Sequence, residues 1–145
     1  MRQIYAFLFL LFRKIVVLLH QILIKKLNMK ESRMYVKQIY VFGSDADGNH
    51  NGGCALKALA YHGAIYGRAE GLQGNAYAIP TMRVPLAYMC QAVARFCQFV
   101  LSHPEYYFTV TAIGCGHAGY TPELMAPLFA PVRNAVNVRL PIEFI

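Results

Sequence analysis

Two glycine-rich loops, each between a run of strand-like apolar residues and a helix-like stretch, constrain this chain more than any other feature. The first lies in YVFGSDADGNHNGGCALKAL, Tyr40 to Leu59, and the second in VTAIGCGHAGYTPELM, Val110 to Met125. Glycine permits positive φ and close approach of backbone to a ligand, and the helix start that follows offers unpaired N–H groups and a partial positive charge. Two such loops suit a diphosphate clamp.

At 145 residues the chain is long enough for one domain with a real core, and its aromatic content suits a buried α/β sheet. The basic charge is uneven. Residues 1–34 hold Arg2, Arg13, Lys14, Lys25, Lys26, Lys30 and Arg33 against Glu31, so 7 − 1 = +6 of the net +7 lies there. The folded body is nearly neutral, which gives no strong nucleic-acid signal, because a groove for phosphate backbones is basic within the fold. Cys54, Cys90, Cys97 and Cys115 form no CxxC pair and no zinc-site spacing with histidine, and read as reduced thiols of a cytoplasmic protein.

Ile4 to Ile24 is strongly apolar, but Arg13 and Lys14 split it, and His20 interrupts the second half. Each half alone is too short to span a bilayer, and central cations are costly there. Residues 1–33 are therefore read as an appendage, through a misassigned start with Met29 or Met34 as the true one, or else as an anchor contacting a membrane surface, which makes the alternative localisation membrane-associated.

From Val36 onward short elements alternate with turns. VKQIYVF predicts a strand; Gly53 to Tyr61 predicts a helix closing on Gly63; Ala64 to Tyr66 predicts a short strand; EGLQG predicts a turn-rich connection into the strand YAIP. Leu86, Met89, Val93, Phe96, Cys97 and Val100 recur at helical spacing and predict a core helix from Leu86 to Ser102. YYFTVTAI reads as a buried strand, and Thr121, Pro122 and Glu123 as a helix start, with Pro127 and Pro131 keeping that helix short or kinked. Val136 to Phe144 predicts a last strand. Alternating strands and helices imply a layered α/β domain with ligands at the carboxyl ends of the strands.

GSDADGNHNGGCALKAL resembles the first ligand loop of macro domains, the ADP-ribose-binding family. AIPTM resembles the "PTK" strand end, and AIGCGHAGYTPELMAPLF the second ligand loop, of the branch holding terminal ADP-ribose protein glycohydrolase and the DNA ADP-ribosyl glycohydrolase antitoxins, with bacterial and phage macro-like proteins close to it. The three motifs occur in order over most of residues 36–130. The resemblance implies a three-layer α/β/α macro-like domain with a mixed central sheet over residues 34–145, the first loop embracing the distal ribose and the second the diphosphate. It also implies a nucleophilic lysine and a proton-moving aspartate where this chain has Met82 and Ala118. Neither residue can perform those steps. Arg83, next to Met82, is suited to pairing with phosphate rather than to attack.

The ligand-binding candidates are Gly43, Ser44, Asp45, Gly52, Gly53, Gly114, Cys115, Gly116, His117, Gly119 and Tyr120. Asp45 reads as a ribose-diol acceptor ahead of a plain turn-former. His50 and His117 read first as hydrogen-bonding surface groups; His50 and Asp45 are the candidate catalytic bases, and convergence of the loops would bring them together with His117 as an acid/base or metal set. Cys115, near a helix start where a thiolate is favoured, reads first as a small residue. Tyr120 reads as a stacking platform or packing group, and Gln73 and Asn75 as cleft-lining polar residues. No metal and no cofactor is expected. The first functional expectation is a reader or scavenger of ADP-ribose, a related nucleotide or an ADP-ribosylated macromolecule. The alternatives are a hydrolase on such substrates and an interaction protein that keeps the fold without the ligand.

Overall fold

The computed structural model describes the backbone of residues 1–145 and the side chains of 1–27 and 35–145; the possible starts Met29 and Met34 lie outside the described side chains. The chain divides into two compact units, Met1–Tyr35 and Val36–Ile145. The first is one helix, α1 (Arg2–Met34), which runs through Arg13 and Lys14 without a break. Nothing in the sequence of that stretch opposes helix continuation, since proline and glycine are absent from it.

The second unit is an α/β domain. Its elements are β1 (Lys37–Asp45), α2 (Gly53–Tyr61), β2 (Gly71–Gln73), β3 (Ala76–Met82), α3 (Leu86–Ser102), β4 (Tyr106–Val110), α4 (Pro122–Met125) and β5 (Val138–Arg139), with 3₁₀ segments at Ala126–Val132 and Ile142–Phe144. The sheet order is β2-β3-β1-β4-β5. β3, β1, β4 and β5 are parallel, and β2 runs antiparallel to β3, so the sheet is mixed.

Alternation along the strands decides what each face packs against. Ile39 and Val41 of β1, Tyr77 and Ile79 of β3, and Phe108 and Val110 of β4 join Met89, Val93 and Phe96 of α3, with Met125, Phe129 and Val132 beyond, in one core. Phe42, Ala76 and Ala78 meet Ala55 and Ala58 of α2 on the opposite face. Helices therefore cover both faces. The alanines on the α2 side let that short helix sit close to the sheet.

Some sequence expectations change. EGLQG contributes the strand β2 rather than a turn, and Ala64 to Tyr66 is irregular rather than a strand. Gln73 explains both: its Oε1 accepts from the Ile65 N–H at 2.6 Å and its Nε2 donates to the Arg68 carbonyl at 3.0 Å, pinning the preceding loop from a fully buried position. The last strand shrinks to Val138–Arg139, because Pro141 ends it and a 3₁₀ turn follows. Pro80 is accommodated in β3 because β2 pairs only with Ala76 to Ala78, leaving Pro80 a strand neighbour on one side.

Candidate functional site

Topology places a crevice between the carboxyl ends of β1 and β4. β1 leads into α2 on one face of the sheet, whereas the loop after β4 leads to α4 and the 3₁₀ segment that packs on α3 at the other face. Adjacent parallel strands whose chains leave in opposite directions form a topological switch point, the place where open α/β sheets bind ligands.

A cleft of about 510 Å³ opens there. Its walls are Gly43–Asp45, Asn49 and Asn51–Ala55 from the first loop, Thr81 and Met82 from the end of β3, and Thr111–Gly114 and Gly116–Ala118 from the second loop. The two glycine loops thus converge on one cavity. Its volume falls within the range of small-molecule sites, about 300–1,000 Å³.

Both loops leave backbone donors unpaired among the described residues. In the first loop Leu56 is the first residue of α2 to donate back along the helix, to the Gly52 carbonyl at 3.2 Å, and no side chain caps the start. The Gly53, Cys54 and Ala55 N–H groups have no partner among the described residues. The second loop is closed by bonds from the Cys115 N–H to Ala112, from Gly119 to Gly116 and from Tyr120 to Gly114, at 3.2, 3.0 and 2.8 Å. Between them the Gly116, His117 and Ala118 N–H groups have no partner among the described residues. No acidic side chain stands in the first turn of α2 to compete for an anion.

The glycines divide by what the fold asks of them. At Gly48 and Gly114 φ is +69° and +78°; an added Cβ would meet the Arg68 nitrogen at 2.5 Å in the first case and Met125 Sδ at 3.1 Å in the second. A side chain is strained by the backbone at both positions, and at Gly48 it would also collide with backbone atoms. Gly52 lies in extended backbone, and neither Gly52 nor Gly116 has any atom within 4 Å of an added Cβ. Both line the cleft, so what their small size leaves open is the cleft itself.

Asp45 is held more tightly than expected. A bulge between Ser44 and Asp45 ends the regular pairing of β1 with β3. Asp45 Oδ1 accepts the N–H groups of Asp47 and Asn49 at 3.0 and 2.9 Å, and Oδ2 accepts Arg83 Nη2 at 2.7 Å. Burial would raise its pKa, but the Asn49 N–H, the Arg83 guanidinium and the Asp47 N–H outweigh that and hold the carboxyl below its ordinary value. The carboxylate organises the loop and has both oxygens engaged. Arg83, which also pairs with Asp47 at 2.8 Å, has φ +58°, an unusual conformation for a residue with a side chain.

His50 departs from the expected surface position. It is fully buried with its ring edge-on to Phe42 at 5.0 Å, neither ring nitrogen has a partner among the described residues, and it does not line the cleft. His117 is exposed and does line it. The loops converge without bringing the two histidines together there, and no group of three metal-ligating side chains occurs among the described residues.

Of the other candidates, Gly43, Ser44, Gly52, Gly53, Gly114 and Gly116 line the cleft, whereas Cys115, Gly119 and Tyr120 do not. The Ser44 hydroxyl is committed to the Ala69 carbonyl. Cys115 packs against the core, and burial, followed by the charges of Glu143 and Glu123, raises its pKa, so the thiol rather than the thiolate is favoured. Tyr120 also packs against the core rather than offering a stacking face in the cleft. Gln73 and Asn75 do not line the cleft; the Asn75 backbone bonds Tyr40 and His62 instead. Sequence reasoning passed over Asn49, Asn51, Cys54, Thr81 and Thr111, which the cleft includes. For Asn49, Asn51 and Cys54 the signal was position beside glycines, whereas Thr81 and Thr111 are beside none and are brought in by the strand ends. Met82 and Ala118, where the macro resemblance puts a lysine and an aspartate, both line the cleft.

Comparison of the chain with protein-family models, curated proteins and solved structures finds no match.

Proposed function

We propose that the Val36–Ile145 unit is a macro-like domain that binds ADP-ribose or a related nucleotide diphosphate, acting as a reader or scavenger. One observation carries the reading: the residues whose backbone N–H groups have no partner among the described residues come from two separate loops and line a single cleft at the switch point of the sheet. Amides presented by a helix start and a glycine turn suit phosphate oxygens, and need no side-chain charge. The Arg83 guanidinium, shared between Asp45 and Asp47, offsets part of the negative charge that opposes a diphosphate at this end of the cleft. Asn49 and Asn51, with paired donor and acceptor atoms, fit ribose hydroxyls.

The hydrolase alternative has less to stand on. Met82 and Ala118 sit in the cleft without proton-moving groups, Asp45 has both oxygens engaged, and His50 is buried away from the cavity. His117 is the imidazole available in the cleft, and on this reading it binds rather than catalyses.

Calorimetric titration of the full chain with ADP-ribose, AMP and ribose-5-phosphate tests the proposal. It expects a dissociation constant below about 100 μM for ADP-ribose, equivalent to more than about 5 kcal/mol, and much weaker binding of the two fragments. Equal affinity for AMP and ADP-ribose contradicts a clamp built around the diphosphate.

A further inference from the structure

Every described residue of α1 is exposed, and the stretch Arg2–Leu27, 26 residues that include an 18-residue run with a mean hydropathy of 2.1, is long and apolar enough to cross a membrane. Its polar residues are not scattered around the helix. At about 100° per residue, Arg2, Arg13, Lys14, His20, Gln21 and Lys25 fall within one arc of about 140°. Leu8, Leu11, Phe12, Ile15, Leu19 and Leu23 occupy the opposite side, and Lys26, next to the last residue of the stretch, is the one cation that shares it. We infer that α1 is an in-plane membrane anchor, lying along an anionic bilayer surface with this apolar side immersed.

A crossing orientation does not account for the pattern. Arg13 lies about 16 Å along the axis from Arg2 and about 18 Å from Lys25, at about 1.5 Å per residue. In a hydrocarbon core about 30 Å thick it would sit near the midplane, beyond the reach of its own side chain to either headgroup layer. Nor does crossing require the central cations to share a side with the terminal ones. Lying flat requires just that and brings Arg2, Arg13, Lys14 and Lys25 to headgroup level, while Lys26 on the apolar side reaches it along its long alkyl stem from the end of the stretch. Residues 1–27 contain no Asp or Glu, so the polar side is complementary to anionic lipid throughout.

A second copy of the helix is the weaker occupant. Pairing through the polar sides sets Arg13 and Lys14 of both copies against each other. Pairing through the apolar sides leaves Phe7, Leu10, Val17 and Ile24, which intrude on the polar side, in water; the headgroup and acyl boundary accommodates them.

The chain contains no tryptophan, so single substitutions report without background. The full chain is prepared as Leu8→Trp, Phe12→Trp, Leu19→Trp and Leu23→Trp, and each is mixed with phosphatidylcholine vesicles containing about one third phosphatidylserine, brominated at shallow or deep acyl positions. The inference expects all four to be quenched best by the shallow bromines and to the same extent within about twofold. Deep bromines quenching Phe12→Trp and Leu19→Trp more than the outer pair would establish a crossing helix and overturn it. Absence of quenching in all four overturns it in favour of another occupant. The double variant Arg13→Glu, Lys14→Glu is expected to bind these vesicles at least tenfold more weakly; unchanged affinity removes the anionic surface from the account.

Discussion

Arg83 at the end of β3 donates to Asp45 at the end of β1 over 2.7 Å, and Asp45 in turn receives two backbone N–H groups of the loop that forms one wall of the cleft. The shape of the first loop therefore depends on a carboxylate remaining charged. The Asp45 pKa is lowered in the fold, so its contribution to stability is present above the ordinary carboxylate pKa, near 4, and is lost as pH falls through the lower folded value. We expect Asp45→Asn to melt below the parent at pH 7, with the difference shrinking steadily below about pH 4. Thermal denaturation across that range checks it; a constant difference at all pH values would show that the charge is not what matters.

His50 makes a contrasting case, because it is buried and its ring nitrogens have no partner among the described residues. A buried polar group without a partner costs about 1–3 kcal/mol, whereas an apolar residue of similar volume does not carry that penalty. His50→Leu is expected to leave stability unchanged or raise it by about 1 kcal/mol, and His50→Ala to lower it by about 2 kcal/mol or more through the cavity it leaves. Urea unfolding of both variants decides; a loss of more than about 1 kcal/mol in His50→Leu would mean that the ring is hydrogen-bonded after all.

Thiol chemistry separates the two loops. Cys54 is exposed, lines the cleft and stands in the first turn of α2, while Cys115 packs against the core with its pKa raised by burial. Iodoacetamide at pH 8 should modify Cys54 well before Cys115, and saturating ADP-ribose should slow the Cys54 reaction. Peptide mass mapping against time gives both rates. Preferential labelling of Cys115 would contradict the placement of the second loop.

Gly48 belongs to the fold rather than to the ligand. With φ +69° and the Arg68 nitrogen 2.5 Å from where a Cβ would stand, Gly48→Ala must move backbone as well as adopt a disfavoured conformation. A loss of about 2 kcal/mol or more in chemical denaturation is expected. Wild-type stability would mean that the approach between residues 48 and 67–68 is looser than the structure has it.

How much of this was legible in the sequence varies with the range of the interactions involved. α2 and α3 occupy Gly53–Tyr61 and Leu86–Ser102, the bounds their periodicity and flanking turn residues give, because both signals are local. The Thr121 cap was equally readable, with its Oγ1 accepting from the Leu124 N–H at 3.3 Å. β2 was not, since three residues become a strand only because β3 lies beside them. Both loops announced themselves through glycine, but composition alone does not separate Gly52 and Gly116, which the fold leaves unconstrained, from Gly48 and Gly114, where it strains a side chain. The burial of His50 depends on contacts with Phe42 that no local pattern encodes. Asp45 was read for its carboxylate, and the partner that occupies it, Arg83, lies 38 residues away in the chain.

On the proposed reading the diphosphate sits in the open space above Gly52 and Gly116, and substituting alanine at both positions tests that placement. The proposal predicts a Gly52→Ala, Gly116→Ala variant that unfolds within about 1 kcal/mol of the parent, because neither Cβ meets another atom, yet binds ADP-ribose at least tenfold more weakly, a difference of about 1.4 kcal/mol or more. Unchanged affinity in a folded double variant, or no binding by the parent chain itself, would contradict it.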